Sequence, residues 1–249
     1  YPSFGPQHPP RLEAIAQAAP LPARVVAMEM FAKDSDYEWK PVTGAATGYE
    51  RYTVMQTHSA KARLQRNRMS LKKAVVDALN DISPDVLVVN GWGHRESRRS
   101  LEWARRNGCP VVLLSDSVHE NVRRHWFLEA YKRWVVRGCR AAFVAGTPQA
   151  RYVARLGVPK ERIFHPGSCV VNNDYWASQR GLIARDVDRY RTQENLPARY
   201  FFAIARFIEF KNLPGLIRAY ALYHTEAGSD PFGLVLCGSG PLERELRSL

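Results

Sequence analysis

Arg206 and Lys211, followed by Gly238, Ser239 and Gly240, are the residues of this chain best suited to hold a diphosphate. Tyr200-Phe-Phe-Ala-Ile-Ala-Arg206 reads as an apolar strand closed by a guanidinium, and Lys211-Asn212 stands where the next helix starts. A second apolar run, Phe232-Gly-Leu-Val-Leu-Cys237, leads into Gly238-Ser-Gly240-Pro241. In a parallel β-α-β unit the carboxyl ends of the strands share one edge, and ligands bind in the crevice outside them. Arginine offers a fixed fork of donors there and lysine a point charge. Glycines at 238 and 240 are expected to admit a phosphate or ribose to the backbone N–H groups, and the helix start after them to add partial positive charge. Taken singly, the same residues also suit a plain strand-to-helix turn beside a surface arginine.

These groups need a scaffold, and the remaining sequence reads as an alternating one. Hydrophobic residues make up 45% and charged residues 24% of the 249, the balance of a globular chain able to bury a core. Strands are expected over 25–28, 85–89, 111–114 and 141–144, and helices over 60–79, 97–106, 123–136 and 148–156. That alternation predicts an α/β fold with a parallel sheet. Residues 176–197, rich in arginine and aspartate, are expected to form one crossover helix that ends at Pro197. No run approaches the roughly 18 to 20 apolar residues of a membrane span. Cys109, Cys139, Cys169 and Cys237 lie far apart, which points away from zinc ligation or a disulfide framework and toward a reducing cytoplasm.

The order of the pieces resembles the carboxyl-terminal half of glycosyltransferase family 4, retaining nucleotide-sugar enzymes of the GT-B fold. Ala205-Arg206, Lys211-Asn212 and Gly238-Ser239-Gly240-Pro241 stand where that family carries a strand ending in Gly-Arg or a variant, a Lys-Asn or Lys-Gly, and a Gly-x-Gly-Pro loop. Leu156-Gly-Val-Pro-Lys-Glu-Arg-Ile163 and His165-Pro-Gly167 are similar to the family's segment before its domain crossover. The resemblance implies two Rossmann-like domains with parallel sheets, the second incomplete in this chain. Residues 1–175 would be the acceptor-side domain, 176–197 the linker helix, and 198–249 the start of the donor-binding domain. The chain is accordingly expected to be an internal fragment that begins after a first strand and stops before the distal glutamate motif that holds the donor ribose.

The reaction this resemblance implies is transfer of a sugar from a nucleoside diphosphate to an acceptor hydroxyl, with the anomeric configuration retained. Arg206 and Lys211 would stabilise the charge that develops on the departing diphosphate, with no divalent metal and no other cofactor. The family's strand-end loops hold the acceptor, a glycan or a lipid-linked molecule. Those loops are here Asn90-Gly-Trp92-Gly-His94, Ser115-Asp116-Ser117-Val-His119 and Ala145-Gly-Thr147. Many members have a histidine where this chain has Ser115-Asp116-Ser117. Asp116 is thus the candidate catalytic carboxylate, and Trp92, His94, Ser117 and His119 are the acceptor-side candidates. Each has a plainer use: Asp116 or Ser117 as the cap of the next helix, the histidines as surface groups, Trp92 as core. Asp174 resembles the aspartate of the family's Asn-Gly-Val-Asp segment and is expected to shape the crossover.

The formal net charge of +12 is unevenly spread. Beyond residue 198 positive and negative side chains nearly balance, so the surplus sits earlier, in three clusters: Lys61 to Lys73, Arg95 to Arg106, and Arg123 to Arg140. An anionic membrane surface would attract them, and Trp126, Phe127, Tyr131 and Trp134 recur near the spacing of an interfacial helix. Nucleic acid would use the same charges, but no helix-turn-helix, zinc finger or ribonucleoprotein signature accompanies them. The third reading packs those aromatics into the core beneath solvated arginines. Two functional alternatives stand beside the transferase: a non-catalytic basic surface protein, and a GT-B epimerase that uses a similar donor site without an acceptor.

Overall fold

The computed structural model describes residues 1–5, 7–32, 47–55, 68–119, 125–165 and 173–249. The chain divides into two units, Tyr1–Asn172 and Asn173–Leu249. Lys61, Arg63, Arg66, Arg123, Arg124, Gly167 and Cys169 lie outside the described residues.

In the first unit the elements run α1 (His8–Ala18), β1 (Val26–Phe31), β2 (Glu50–Met55), α2 (Arg68–Ile82), β3 (Leu87–Asn90), α3 (Arg95–Arg106), β4 (Val111–Ser115), α4 (Trp126–Val136), β5 (Ala141–Val144), α5 (Thr147–Arg155) and β6 (Ile163–Phe164). Strands β3-β4-β5-β6 form one sheet in that order, every pair parallel, and β1 pairs in parallel with β2. The expected parallel α/β architecture is therefore present. Short apolar strands make it, since parallel strands read as near-continuous apolar runs. Val89, Val111, Leu113, Ala142 and Val144 share one core with Val75 and Leu79 of α2, Leu101 and Ala104 of α3, Val136 of α4, Val153 of α5, and Leu156 just beyond α5.

Two elements escape the periodicity reading. Glu50-Arg-Tyr-Thr-Val-Met55 forms β2 although its first half is charged, because Arg51 answers a carboxylate on β1. That carboxylate, Glu29, is fully buried in the middle of Val26–Phe31. It accepts the Phe4 N–H (2.8 Å), Arg51 Nε (2.8 Å) and Thr53 Oγ1 (2.8 Å), so the charge is met on several sides. Thr53 lies directly opposite Glu29 in the register. Helix α1 has Pro9 and Pro10 near its start, where proline is tolerated, and buries only Leu12.

The second unit comprises α6 (Asn173–Ala184), α7 (Val187–Gln193), β7 (Tyr200–Ile204), α8 (Leu213–Glu226), β8 (Gly233–Cys237) and α9 (Glu243–Leu246). The single helix expected over 176–197 is two, interrupted where Asp186 leaves helical geometry at φ −146° and ψ 46°. Asp174 falls in the first turn of α6. Strands β7 and β8 pair in parallel from Tyr200 opposite Gly233 to Ile204 opposite Cys237. Phe207, Leu213 and Leu246 form the small core, with Ala205, Ile217, Leu236 and Leu242 against it. Among the described residues no helix is long and apolar enough to cross a membrane.

Candidate functional site

The carboxyl edge of the β7–β8 pair is built by backbone. Strand β7 ends at Ile204, so Arg206 sits in the turn beyond it rather than on its last rung. The pairing nevertheless continues past both strands: Ala205 N–H donates to Cys237 O (3.0 Å), Phe207 N–H to Ser239 O (2.8 Å), and Leu242 N–H to Phe207 O (3.1 Å). The arginine turn and the glycine loop are thereby zipped side by side. This closeness accounts for both glycines, which adopt φ of +149° and +154°. A Cβ on Gly238 would stand 1.9 Å from Ala205 O, and one on Gly240 would stand 2.6 Å from Phe207 O. On the Cβ side, therefore, the chain's own turn fills the space, and the glycines are required for that packing.

Among the described residues the N–H groups of Gly238, Ser239 and Gly240 donate to no backbone carbonyl. The side chains of Arg206 and Lys211 are exposed. Lys211 belongs to the short turn Glu209–Lys211, and Asn212 follows in the left-handed region at φ 47°, directing the chain into α8. The fourteen residues of α8 begin at once after this turn, so its partial positive end lies on the edge. The helix after the glycine loop contributes less than expected: α9 has four residues, with Glu243 and Glu245 in its first turn.

In the first unit the strand-end candidates gather around one ring. Tyr152 of α5 is almost fully buried, with Trp92 edge-on at 6.1 Å and His119 edge-on at 5.7 Å between ring centroids. Its hydroxyl meets both Glu129 oxygens at 3.0 Å and Lys132 Nζ at 3.2 Å, and Lys132 pairs with Glu129 at 2.8 Å. The loops after β3 and β4 are thus joined to α4 and α5 through Tyr152. Trp92 is a core residue, which removes it as a surface for stacking a sugar. His94 is exposed at the start of α3, its Nδ1 3.8 Å from Glu96.

Asp116 and Ser117 are exposed beyond β4, and Ser117 N–H donates to the buried Ser115 Oγ at 3.3 Å. Neither caps the next helix described, since α4 starts at Trp126 with His125 as its cap. Sequence reading passes over Tyr152 and Glu129, and takes Lys132 only as one charge of the third basic cluster. The three-residue spacing of Glu129 and Lys132 was the available signal, and it is common on solvated helices. Among the described residues no three His, Cys, Asp or Glu side chains gather as metal ligands would.

Residues 14–167 match the family described as glycosyl transferase 4-like domain. No curated protein matches the chain. Among solved structures, the UDP-N-acetylglucosamine 2-epimerase of Rickettsia bellii superposes with a TM-score of 0.51 at 14% identity, covering 91% of this chain and 65% of its own. The UDP-GlcNAc 2-epimerase of Neisseria meningitidis, bound to UDP-GlcNAc, gives 0.52 at 14% identity, covering 82% of this chain and 61% of its own. The chain therefore spans less than two thirds of either enzyme, and at this identity the likeness establishes the GT-B fold alone.

Proposed function

The chain belongs to the glycosyl transferase 4-like family, and on that premise we propose that it serves an enzyme moving a sugar from a nucleoside diphosphate to an acceptor hydroxyl, with retained configuration. The observation that carries this reading is the zipped edge of the second unit, which lays the turn that holds Arg206 beside the Gly238-Ser239-Gly240 loop, with Lys211 in the short turn that follows. In the reaction the bond between the anomeric carbon and the diphosphate breaks, and its electron pair stays on the departing oxygen. Arg206 and Lys211 stabilise that charge, and the N–H groups of 238–240 hold the phosphate oxygens, all positioned before the bond breaks. The acceptor oxygen forms the new bond to the anomeric carbon, and Asp116 is the candidate to receive its proton. Fixed cations fill the charge-neutralising role that a divalent ion would otherwise have, so chelation with EDTA should leave turnover unchanged.

The test is a calorimetric titration of the intact protein with UDP, GDP and ADP, alongside Arg206→Ala. One nucleotide that the parent binds and the variant loses supports the site, and turnover should fall by about 10² to 10³, the scale for one lost transition-state donor. If no nucleoside diphosphate binds, the transferase reading falls. A second reading, epimerisation at the donor sugar, is suggested by the two solved epimerases of similar fold. Product analysis separates the two: a transferred sugar requires an acceptor, whereas an inverted sugar forms without one.

A further inference from the structure

Helix α4 turns its aromatic residues outward. Trp126, Phe127, Tyr131 and Trp134 are 83%, 53%, 45% and 57% exposed, whereas Val136 of the same helix is fully buried. The expectation that these rings fill the core beneath solvated arginines is therefore overturned. A soluble surface rarely gathers so many large apolar groups without a partner for them. Beside this ridge, between α3 and α4, runs a groove of about 540 Å³ whose lining includes Arg95, Arg98, Arg99, Arg105, Tyr131 and Trp134. Glu102, the acidic residue in that lining, is already paired with Arg99 and Arg106 at 2.6 Å each. Among the described residues no carboxylate forms an ion pair with Arg98 or Arg105.

From this juxtaposition we infer that the α3–α4 face docks on an anionic phospholipid bilayer, with α4 lying along the headgroup boundary. Tryptophan and tyrosine suit that boundary because each joins a large apolar body to a polar tip. The arginines suit anionic headgroups through an attraction that acts within a screening length of the surface. The ring geometry argues against single-stranded nucleic acid, which needs open ring faces on which bases stack. Arg105 already covers the Trp134 face at 4.1 Å, and the Tyr131 and Trp134 rings stack on each other with centroids 6.2 Å apart. The inference is independent of the donor edge, which lies in the other unit.

The experiment is flotation of the intact protein with phosphatidylcholine vesicles, with and without phosphatidylglycerol. The parent should float only with the anionic vesicles, and added salt should weaken that binding. Replacing both Arg98 and Arg105 by glutamine should weaken binding about 30-fold, the loss expected for two basic residues at an anionic surface. Tyr131→Ser with Trp134→Ser should also weaken it, and should do so at high salt as well as low. Circular dichroism confirms that each variant is folded, and all four side chains lie at the surface edge of the core. No binding to anionic vesicles overturns the inference, as does parent-like binding by the folded double variants. Binding to an oligonucleotide that persists while vesicles are ignored assigns the face to nucleic acid and overturns it equally.

Discussion

Substituting Gly238 by alanine should open the zipped edge while leaving the first unit untouched. The added Cβ would lie 1.9 Å from Ala205 O, far inside the 3.0 Å that real contacts respect, so turn and loop must part by about 1 Å or more. An alanine at φ +149° also occupies a sparsely populated region, costing on the order of 1–3 kcal/mol. Forcing the overlap adds roughly 1–3 kcal/mol more by the behaviour of overpacked sites. The sum, about 2–6 kcal/mol, compares with roughly 4–12 kcal/mol for a unit of this size at ordinary stability per residue. Relief by local opening is therefore expected, at the expense of the bonds from Ala205 N–H to Cys237 O and from Phe207 N–H to Ser239 O. Native-state hydrogen exchange reads these two amides directly, and both should exchange at least about 30-fold faster, the lower end of that penalty. Nucleoside diphosphate affinity should fall in the same variant, whereas Ser239→Ala, which keeps the backbone, should change neither readout. Parent-like protection at Ala205 and Phe207 in Gly238→Ala would refute the account of why glycine is needed.

Four further outcomes follow from the packing. Replacing Glu29 by glutamine removes the buried charge that the partly exposed Arg51 pairs with and should cost about 1–3 kcal/mol in urea denaturation. Tyr152→Phe keeps the ring between Trp92 and His119 but leaves Glu129 and Lys132 without the hydroxyl, which should cost roughly 1–3 kcal/mol of thermal stability. Among the described cysteines, alkylation at mildly alkaline pH should take exposed Cys237 first and half-buried Cys109 later. Cys139, whose thiol burial pushes up to about 12, should be modified only on unfolding, and peptide mass mapping gives the order. Burial lowers the His8 pKa, against the upward pull of the Gly5 carbonyl, so the unfolded chain takes up this proton more readily than the folded one. Stability should consequently fall as pH drops below the ordinary 6.5, and His8→Phe should flatten that part of the melting-temperature profile.

The sheet and most helices were legible because their signal is local. Val111-Val-Leu-Leu114 and Ala141-Ala-Phe-Val144 are apolar runs of strand length between helix-length amphipathic stretches, and the structure adds only Ser115 to the first. Strand β2 was not legible, since what makes it a strand is a tertiary answer to Glu29 from 22 to 24 residues away. The break at Asp186 inside a polar helical stretch had no proline or glycine to announce it. At the donor edge the residues were readable and their reason was not. Gly238 and Gly240 were expected to make room for a ligand, whereas what their missing Cβ atoms admit is the turn after β7, which depends on the parallel pairing of β7 with β8. Tyr152 was invisible for a similar cause: a tyrosine in a helix carries no mark of the two loops that close over its ring.

The shared ring of Tyr152 bears on how this surface could be redesigned. Loops after β3 and β4 each lay an aromatic group against it, and α4 fixes its hydroxyl, so the two loops are not separable modules. A graft that carried only the segment around Trp92 or only the segment around His119 into another scaffold would arrive without the wall it leans on. The smallest transplantable piece is both loops together with Tyr152, Glu129 and Lys132.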